Sequence, residues 1–159
     1  MFSLRAFNTF GIEAAASQFV EISSVEEYIS IRKSGDYGHL AHLFLGGGSN
    51  VLLTKNQEAL VVKISIPGIS ILKEDADFVW VKGGAGVVWD EFVQYTVDQG
   101  WSGLENLSLI PGTLGAAPMQ NIGAYGVEIK DTFDSLEALN LKTLEIAVSY
   151  THLTLPTSV

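Results

Sequence analysis

The residue types that the sequence lacks already exclude several classes of protein. The 159 residues include no cysteine, which excludes disulfides, thiolate zinc sites and thiol nucleophiles. Charged residues make up only 17% of the chain and apolar residues 47%, so a disordered, highly solvated chain is excluded as well. A chain of this length is sufficient for one domain with a substantial core.

Positive charge is also scarce. Nine Lys and Arg stand against 18 Asp and Glu, which gives a net charge of −9. The sequence contains no basic patch of the kind that binds nucleic acid or an anionic membrane. It has no run of ~20 apolar residues, the length of a membrane-spanning helix, and no basic start followed by an apolar core. We therefore expect neither a nucleic-acid partner nor a membrane partner.

Glycine is the residue type in excess. Thirteen of the 16 glycines lie between positions 46 and 126. Glycine permits positive φ angles and close approach of the backbone, at an entropic cost of ~0.5–1 kcal/mol in a regular element. This concentration is compatible with a turn-rich α+β domain, and it also suits a backbone shaped around a ligand.

Hydrophobic patterning places most of these glycines between short elements. Strands are predicted at 18–22, 42–45, 51–53, 60–66, 69–72, 78–82 and 136–141. A helix is predicted at 25–33, with Ser24 and Glu27 as a capping box, and another from about residue 89 to Gly100. Residues 103–126 follow no period.

The first glycine-rich segment is a five-residue loop, GGGSN at 46–50. Consecutive glycines let successive backbone N–H groups turn inward as an anion-binding nest, and Ser49 and Asn50 add polar side chains. The loop lacks the lysine of a P-loop, and no helix with G-x-G-x-x-G spacing follows, so neither of those nucleotide sites is favoured. A simple hairpin loop between strands 42–45 and 51–53 is equally compatible with the pattern.

The second segment, LIPGTLGAAPMQNIGAYG at 109–126, combines four glycines with small residues and two prolines. No Lys or Arg occurs between Lys82 and Lys130. Any phosphate bound here is therefore held by backbone dipoles rather than by cationic side chains. The alternative is an ordered surface loop packed by its own residues.

Together with two shorter motifs, these segments resemble the UDP-N-acetylenolpyruvoylglucosamine reductases, flavoenzymes of bacterial peptidoglycan synthesis. The similar stretches are NTFGI (8–12), GGGSNVLL (46–53), GLENL (103–107) and IPGTLGAAPMQNIGAYG (110–126), within about residues 4–142. The resemblance implies an α+β, two-lobed FAD-binding domain of the vanillyl-alcohol-oxidase type. It places the first lobe at 1–66, an incomplete second lobe at 67–147 and a non-native tail at 148–159.

The resemblance also implies cofactor contacts. The backbone of 46–50 would cradle the FAD pyrophosphate, the second segment would line the adenosine and flavin, and Asn121 and Tyr125 would lie near the flavin or the substrate entrance. The cofactor-binding residues expected on this basis are Gly46, Gly47, Gly48, Ser49, Asn50, Val51, Ile110, Pro111, Gly112, Gly115, Ala116, Asn121, Ile122, Gly123 and Tyr125. No catalytic residue and no metal ligand is expected.

The implied activity is an NADPH-dependent reduction, through FAD, of the enolpyruvyl double bond of a UDP-sugar in the bacterial cytoplasm. The family's Tyr-Arg-Asp-Ser motif should follow strand 136–141, but no arginine follows Arg32. We therefore expect a catalytically inactive fragment that keeps part of the FAD cradle. The oligomeric state is not predicted.

Two other functions fit the same residues. One is a noncovalent FAD oxidase of the same fold; covalent attachment through His or Cys is disfavoured because neither glycine segment contains either residue. The other is a noncatalytic flavin- or nucleotide-binding module, which predicts tight FAD binding by the chain alone.

Several single residues carry structural expectations. Asp90 and Glu91 should complement the N-terminal dipole of their helix. Glu105 should anchor the second glycine segment through backbone N–H groups. Strand 136–141 should present an unpaired edge, because the chain beyond residue 148 is assigned no structural role.

Overall fold

A computed structural model describes residues 1–150 and shows a mixture of helices and strands. The strands are β1 (Phe2–Ser3), β2 (Ala15–Ile22), β3 (His42–Leu45), β4 (Gln57–Ile64), β5 (Ile69–Glu74), β6 (Val79–Gly83), β7 (Gly123–Ala124), β8 (Val127–Glu128), β9 (Ser135–Leu139) and β10 (Ile146–Tyr150). The helices are α1 (Val25–Ser34), α2 (Trp89–Asp98) and α3 (Ala117–Gln120), with single 3-10 turns at Arg5–Phe7, Glu105–Leu107 and Ile129–Asp131.

A four-stranded sheet organises the first part of the chain. Its strand order is β1-β2-β4-β3, with β1 antiparallel to β2 and the other three strands parallel. Helix α1 connects β2 to β3, two strands of the same direction that each pair with β4. The GGGSN loop leaves the carboxyl end of β3, which is the edge of a parallel sheet where ligands usually bind.

Strand β4 is an inner strand of this sheet and is covered on both faces. Leu60 and Val62 contribute to one buried cluster, whereas Val61 points into the other. All three are fully buried, which explains why the sequence here is a continuous apolar run rather than an alternating one. The two clusters are formed by Leu4, Ala14, Ala16, Leu45, Leu53 and Val61, and by Ile22, Tyr28, Leu60 and Val62.

The predicted capping of helix α1 is confirmed in part. The Ser24 hydroxyl accepts a hydrogen bond from the Glu27 N–H at 3.2 Å, and Gly35 ends the helix with φ of 78°. The Glu27 carboxylate, however, accepts from the N–H of Ser23 at 2.6 Å rather than from Ser24. That hydrogen bond is the main reason why the pKa of Glu27 is lowered.

The remainder of the described chain is built from two-stranded antiparallel pairs around α2. The pairs are β5 with β6, β7 with β8 and β9 with β10. A third buried cluster lies here, centred on Trp89, which is 2% exposed. Its other members are Phe92, Val93, Leu107, Ala117 and Ile129.

One strand prediction is wrong. Residues 51–53 form no strand; Leu53 is buried in the first cluster and Val51 packs against it, so these two apolar residues anchor the loop to the core, whereas Leu52 is exposed. Strand β9 pairs with β10 along one edge, from Ile146 to Tyr150, and its other edge has no strand partner within residues 1–150, so the expected unpaired edge is confirmed on that side only. The predicted tail at 148–159 therefore begins inside β10, and its residues 151–159 lie outside the described part of the chain.

No helix within residues 1–150 combines the length and the apolar character needed to cross a membrane.

Candidate functional site

The two glycine-rich segments face each other across a cavity of about 170 Å³. The lining residues are Phe44, Gly46, Gly47, Gly48, Ser49, Asn50, Val51, Trp89, Pro111, Gly112, Thr113, Ala116, Ala117, Gln120 and Ile122. The cavity therefore brings together all the predicted positions of the first segment and four of the second, Pro111, Gly112, Ala116 and Ile122.

The first loop offers an unbroken series of hydrogen-bond donors. Among the contacts of residues 1–150, none of the five backbone N–H groups from Gly46 to Asn50 donates to a protein acceptor. All five residues line the cavity. Successive unpaired N–H groups on a concave loop form an anion-binding site made of backbone dipoles.

The N-terminal lead-in holds this loop in place. Asn8 is 6% exposed, and its side chain bonds the Leu4 carbonyl at 2.9 Å, the Ile12 carbonyl at 3.1 Å and the Ile12 N–H at 2.9 Å. The next residue, Thr9, donates from both its N–H and its hydroxyl to the Gly48 carbonyl. The NTFGI motif is thus the support on which the loop rests.

Gly48 shows why this support requires glycine. Its φ is +69°, and an added Cβ would lie 2.0 Å from the Phe7 carbonyl oxygen. A side chain would therefore meet both backbone strain and a direct clash.

The two glycine segments also touch each other. A Cβ on Gly47 would lie 3.2 Å from the Gly112 Cα, and a Cβ on Gly46 would lie 2.8 Å from the Thr113 hydroxyl oxygen. Thr113 is itself buried. Small residues on both sides allow the backbones to approach and set the width of the cavity.

The second segment is held against α2 and the turn before it. The Asp90 carboxylate accepts from the Leu109 N–H at 2.6 Å, and the Leu114 N–H donates to the Val87 carbonyl at 2.8 Å. The prediction that Glu105 anchors this segment is wrong, because its carboxylate turns back to the Gly103 N–H at 2.5 Å. Hydrogen bonds to its own N–H and to that of Gly103 lower the pKa of Glu105.

Trp89 closes the cavity on the side of the core. Its indole N–H donates to the Leu107 carbonyl at 2.7 Å, which satisfies the one polar atom of a side chain that is otherwise buried. The ring is fixed by the third cluster and is a wall of the cavity rather than an adjustable lid.

Among residues 1–150, no Lys, Arg, His, Asp or Glu lines the cavity. A bound anion is therefore met by backbone N–H groups and by the polar side chains of Ser49, Asn50, Thr113 and Gln120, with no counter-charge from the lining.

Five of the predicted cofactor-binding residues lie outside the cavity lining. Ile110 packs against the third cluster, Gly115 is exposed and bonds the Ala85 carbonyl, and Gly123 belongs to the β7–β8 hairpin. Asn121 donates to the Glu128 carboxylate at 3.1 Å, and Tyr125 is 91% exposed.

Sequence reasoning also missed five lining residues. Phe44, Thr113, Ala117 and Gln120 lie next to predicted positions, so their proximity along the chain was the available signal. Trp89 carried no such signal, because its position depends on the packing of α2 beneath the second segment.

The parallel sheet and the amide-lined cavity define a domain suited to binding a nucleotide through its phosphates. A family model described as FAD binding domain matches residues 16–144, and the chain belongs to that family.

The chain is similar to curated proteins named UDP-N-acetylenolpyruvoylglucosamine reductase. The protein of Flavobacterium johnsoniae is 55% identical over 144 residues, which cover 91% of this chain and 42% of the relative. That of Pseudomonas aeruginosa is 50% identical over 141 residues, covering 87% of this chain and 41% of the relative. The chain therefore spans about two fifths of the length of these relatives.

A solved structure shares the fold. The crystal structure of UDP-N-acetylenolpyruvylglucosamine reductase from Thermus caldophilus aligns with a TM-score of 0.70 over 94% of this chain and 51% of that chain, at 24% sequence identity.

The residues of the cavity fit the phosphate portion of FAD. Five consecutive N–H groups from Gly46 to Asn50 have no protein acceptor within residues 1–150, and all five residues line the cavity. A pyrophosphate presents several oxygen acceptors to such a loop.

Proposed function

We propose that this chain is the FAD-binding part of a UDP-N-acetylenolpyruvoylglucosamine reductase. In this proposal the whole protein uses NADPH to reduce a UDP-N-acetylglucosamine enolpyruvate in the bacterial cytoplasm, for peptidoglycan synthesis. The observation that carries the proposal is the row of five N–H groups at 46–50, which have no acceptor within residues 1–150 and belong to residues that line a cavity with no charged side chain among its described lining. The relatives' names support the choice of reaction.

The chain's own residues bind and enclose the cofactor. The N–H groups from Gly46 to Asn50 bind the pyrophosphate, while Pro111 and Ile122 exclude water from the opposite wall. When bound, FAD supplies the two-electron carrier between NADPH and the enolpyruvyl double bond. We also propose contacts with FAD at Ile110, Gly115, Asn121, Gly123 and Tyr125 in the complete enzyme.

We also assign the chain to the two-lobed, vanillyl-alcohol-oxidase type of FAD-binding domain, with lobes at 1–66 and 67–147 and a non-native tail thereafter. Two observations support a division near residue 66. The four-stranded sheet ends with β4 at Ile64. The third buried cluster is drawn entirely from residues after Ile64, and a partly buried Ile69 is the first residue that packs against it.

FAD binding tests the proposal directly. Titration of the purified chain with FAD, followed by quenching of flavin fluorescence, should show saturable binding of one FAD per chain. ADP should compete, because it carries the same pyrophosphate, and riboflavin should bind much more weakly because it lacks one. Absence of saturable FAD binding, or equal affinity for riboflavin and FAD, would contradict the assignment.

The second part of the proposal concerns turnover. The 159-residue chain saturated with FAD should show no NADPH oxidation that depends on the enolpyruvyl UDP-sugar, whereas a full-length relative assayed beside it should show such oxidation. Substrate-dependent turnover by the chain alone would contradict the view that further segments are needed for catalysis.

A further inference from the structure

Thr9 makes two hydrogen bonds to a single carbonyl of the first loop. Its backbone N–H lies 3.1 Å from the Gly48 carbonyl oxygen, and its hydroxyl lies 3.0 Å from the same atom. The two residues are 39 positions apart in sequence. Thr9 itself does not line the cavity.

The geometry of the peptide bond turns this contact into a constraint on the cavity. No cis peptide occurs within residues 1–150. In a planar trans peptide the carbonyl oxygen and the following N–H point to opposite sides. When Thr9 holds the Gly48 carbonyl on the outside of the loop, the Ser49 N–H is directed away from Thr9, and Ser49 lines the cavity.

Thr9 is well placed to hold that orientation because its own position is fixed. The buried Asn8 side chain, through its bonds to Leu4 and Ile12, closes the turn that carries Thr9. Gly48 also lies close to the same turn, since an added Cβ would be 2.0 Å from the Phe7 carbonyl oxygen.

We infer that Thr9 is a positioning residue for the cofactor: it holds the Gly48 peptide so that the Ser49 N–H is presented to the FAD pyrophosphate. This inference rests on the proposed function. It predicts that affinity for FAD depends on a hydroxyl that does not touch the cofactor.

The test is a comparison of three variants. Thr9→Val removes the hydroxyl at nearly constant volume and should raise the Kd for FAD about 3- to 10-fold, the equivalent of one hydrogen bond. Thr9→Ser keeps the hydroxyl and should restore the wild-type Kd. Thr54→Val, at an exposed threonine just beyond the loop, is the matched control and should leave the Kd unchanged. Urea unfolding of each variant separates loss of affinity from loss of fold.

The outcomes separate the inference from the proposed function. If the wild-type chain binds no FAD, both are overturned. If it binds FAD and folded Thr9→Val binds equally well, only the role of Thr9 is overturned. Should Thr9→Val not fold, the wild-type ¹H–¹⁵N spectrum decides: the Ser49 amide signal should move on FAD saturation, and an unmoved signal overturns the inference.

Discussion

The two glycine-rich segments have similar compositions but use their backbone N–H groups in opposite ways. From Gly46 to Asn50 no N–H donates to an acceptor within residues 1–150. In the second segment, the N–H groups of Leu114, Gly115 and Ala117 all donate to backbone carbonyls. The first segment thus leaves its N–H groups available to a ligand. These N–H groups of the second segment are already bonded to carbonyls of the segment itself or of the neighbouring turn.

This difference shows that glycine content alone does not identify a binding loop. Gly48 is required because the supporting turn approaches from behind, at Phe7. Gly115 is required because the second segment lies against the turn at Ala85, whose Cβ would be 2.6 Å from an added Cβ. At Gly48 the close packing leaves the N–H groups of the first loop free for a ligand. At Gly115 the close packing fixes the second segment as the opposite wall of the cavity.

The largest expected effect is that of Gly48→Ala. The substitution adds left-handed strain and overlaps the Phe7 carbonyl, so unfolding free energy should fall by about 2–5 kcal/mol. Urea denaturation measures the change. Gly11→Ala is the matched control, because Gly11 has a similar φ of +61° and no atom of residues 1–150 lies within 4 Å of an added Cβ. It should cost only about 1–2 kcal/mol. Equal losses in the two variants would show that the contact with Phe7 is unimportant.

Gly115→Ala tests the wall in the same way and should have a smaller effect. Overlap with Ala85 should lower the unfolding free energy by about 1–3 kcal/mol. Adding Ala85→Gly removes the nearest clashing atom and should recover part of this loss. If the double variant is no more stable than Gly115→Ala, then the approach of the two backbones does not limit stability.

Asp90→Ala should loosen the attachment of the second segment. It removes the acceptor of the Leu109 N–H and should cost about 1 kcal/mol, since the contact is exposed. Glu91→Ala, at the neighbouring exposed position, is the control and should change stability by less than about 0.5 kcal/mol. A larger loss for Glu91→Ala would mean that helix-dipole effects, rather than the tether to Leu109, govern this end of α2.

The smallest expected effect is a difference in pH response between the segments. Hydrogen bonds from Lys130 and then Asn121 lower the pKa of Glu128 in the folded chain. A lowered pKa gives stabilisation that is present above the ordinary pKa of an unfolded-state glutamate and is lost as pH falls through the lower folded-state value. Amide signals of residues 121–128 should therefore shift on acidification, whereas those of 46–50, which has no ionisable side chain, should not.

Glu128→Gln is the control for this titration. It should abolish the acid shift at 121–128 and leave the first loop unchanged. A shift at 46–50 that follows the Glu128 titration would show that the two segments are coupled rather than independent.

Local patterns predicted much of this fold. The bounds of β3 agree with the prediction, Ser24 and Gly35 begin and end α1 as expected, and α2 is confirmed. Such features depend on residues close in sequence, so they can be read without knowing the tertiary structure.

The rest of the site depends on contacts distant in sequence. Thr9 reaches Gly48 across 39 residues, and Leu109 is held by Asp90 instead of the nearer Glu105. The apolar residues 51–53 suggested a strand because burial and strand formation give the same short pattern. The resemblance to the reductases pointed to the loop at 46–50 as a cofactor-binding segment. It could not show that the NTFGI motif at 8–12 supports that loop.

The most direct test of the central claim is an ADP titration of the wild-type chain followed by ¹H–¹⁵N spectra. If unpaired N–H groups of the first loop bind the pyrophosphate, the amide signals of residues 46–50 should move together to saturation. Those of Leu114, Gly115 and Ala117, which are already bonded to carbonyls, should move little. Saturable shifts confined to the second segment, with 46–50 unmoved, would contradict the account.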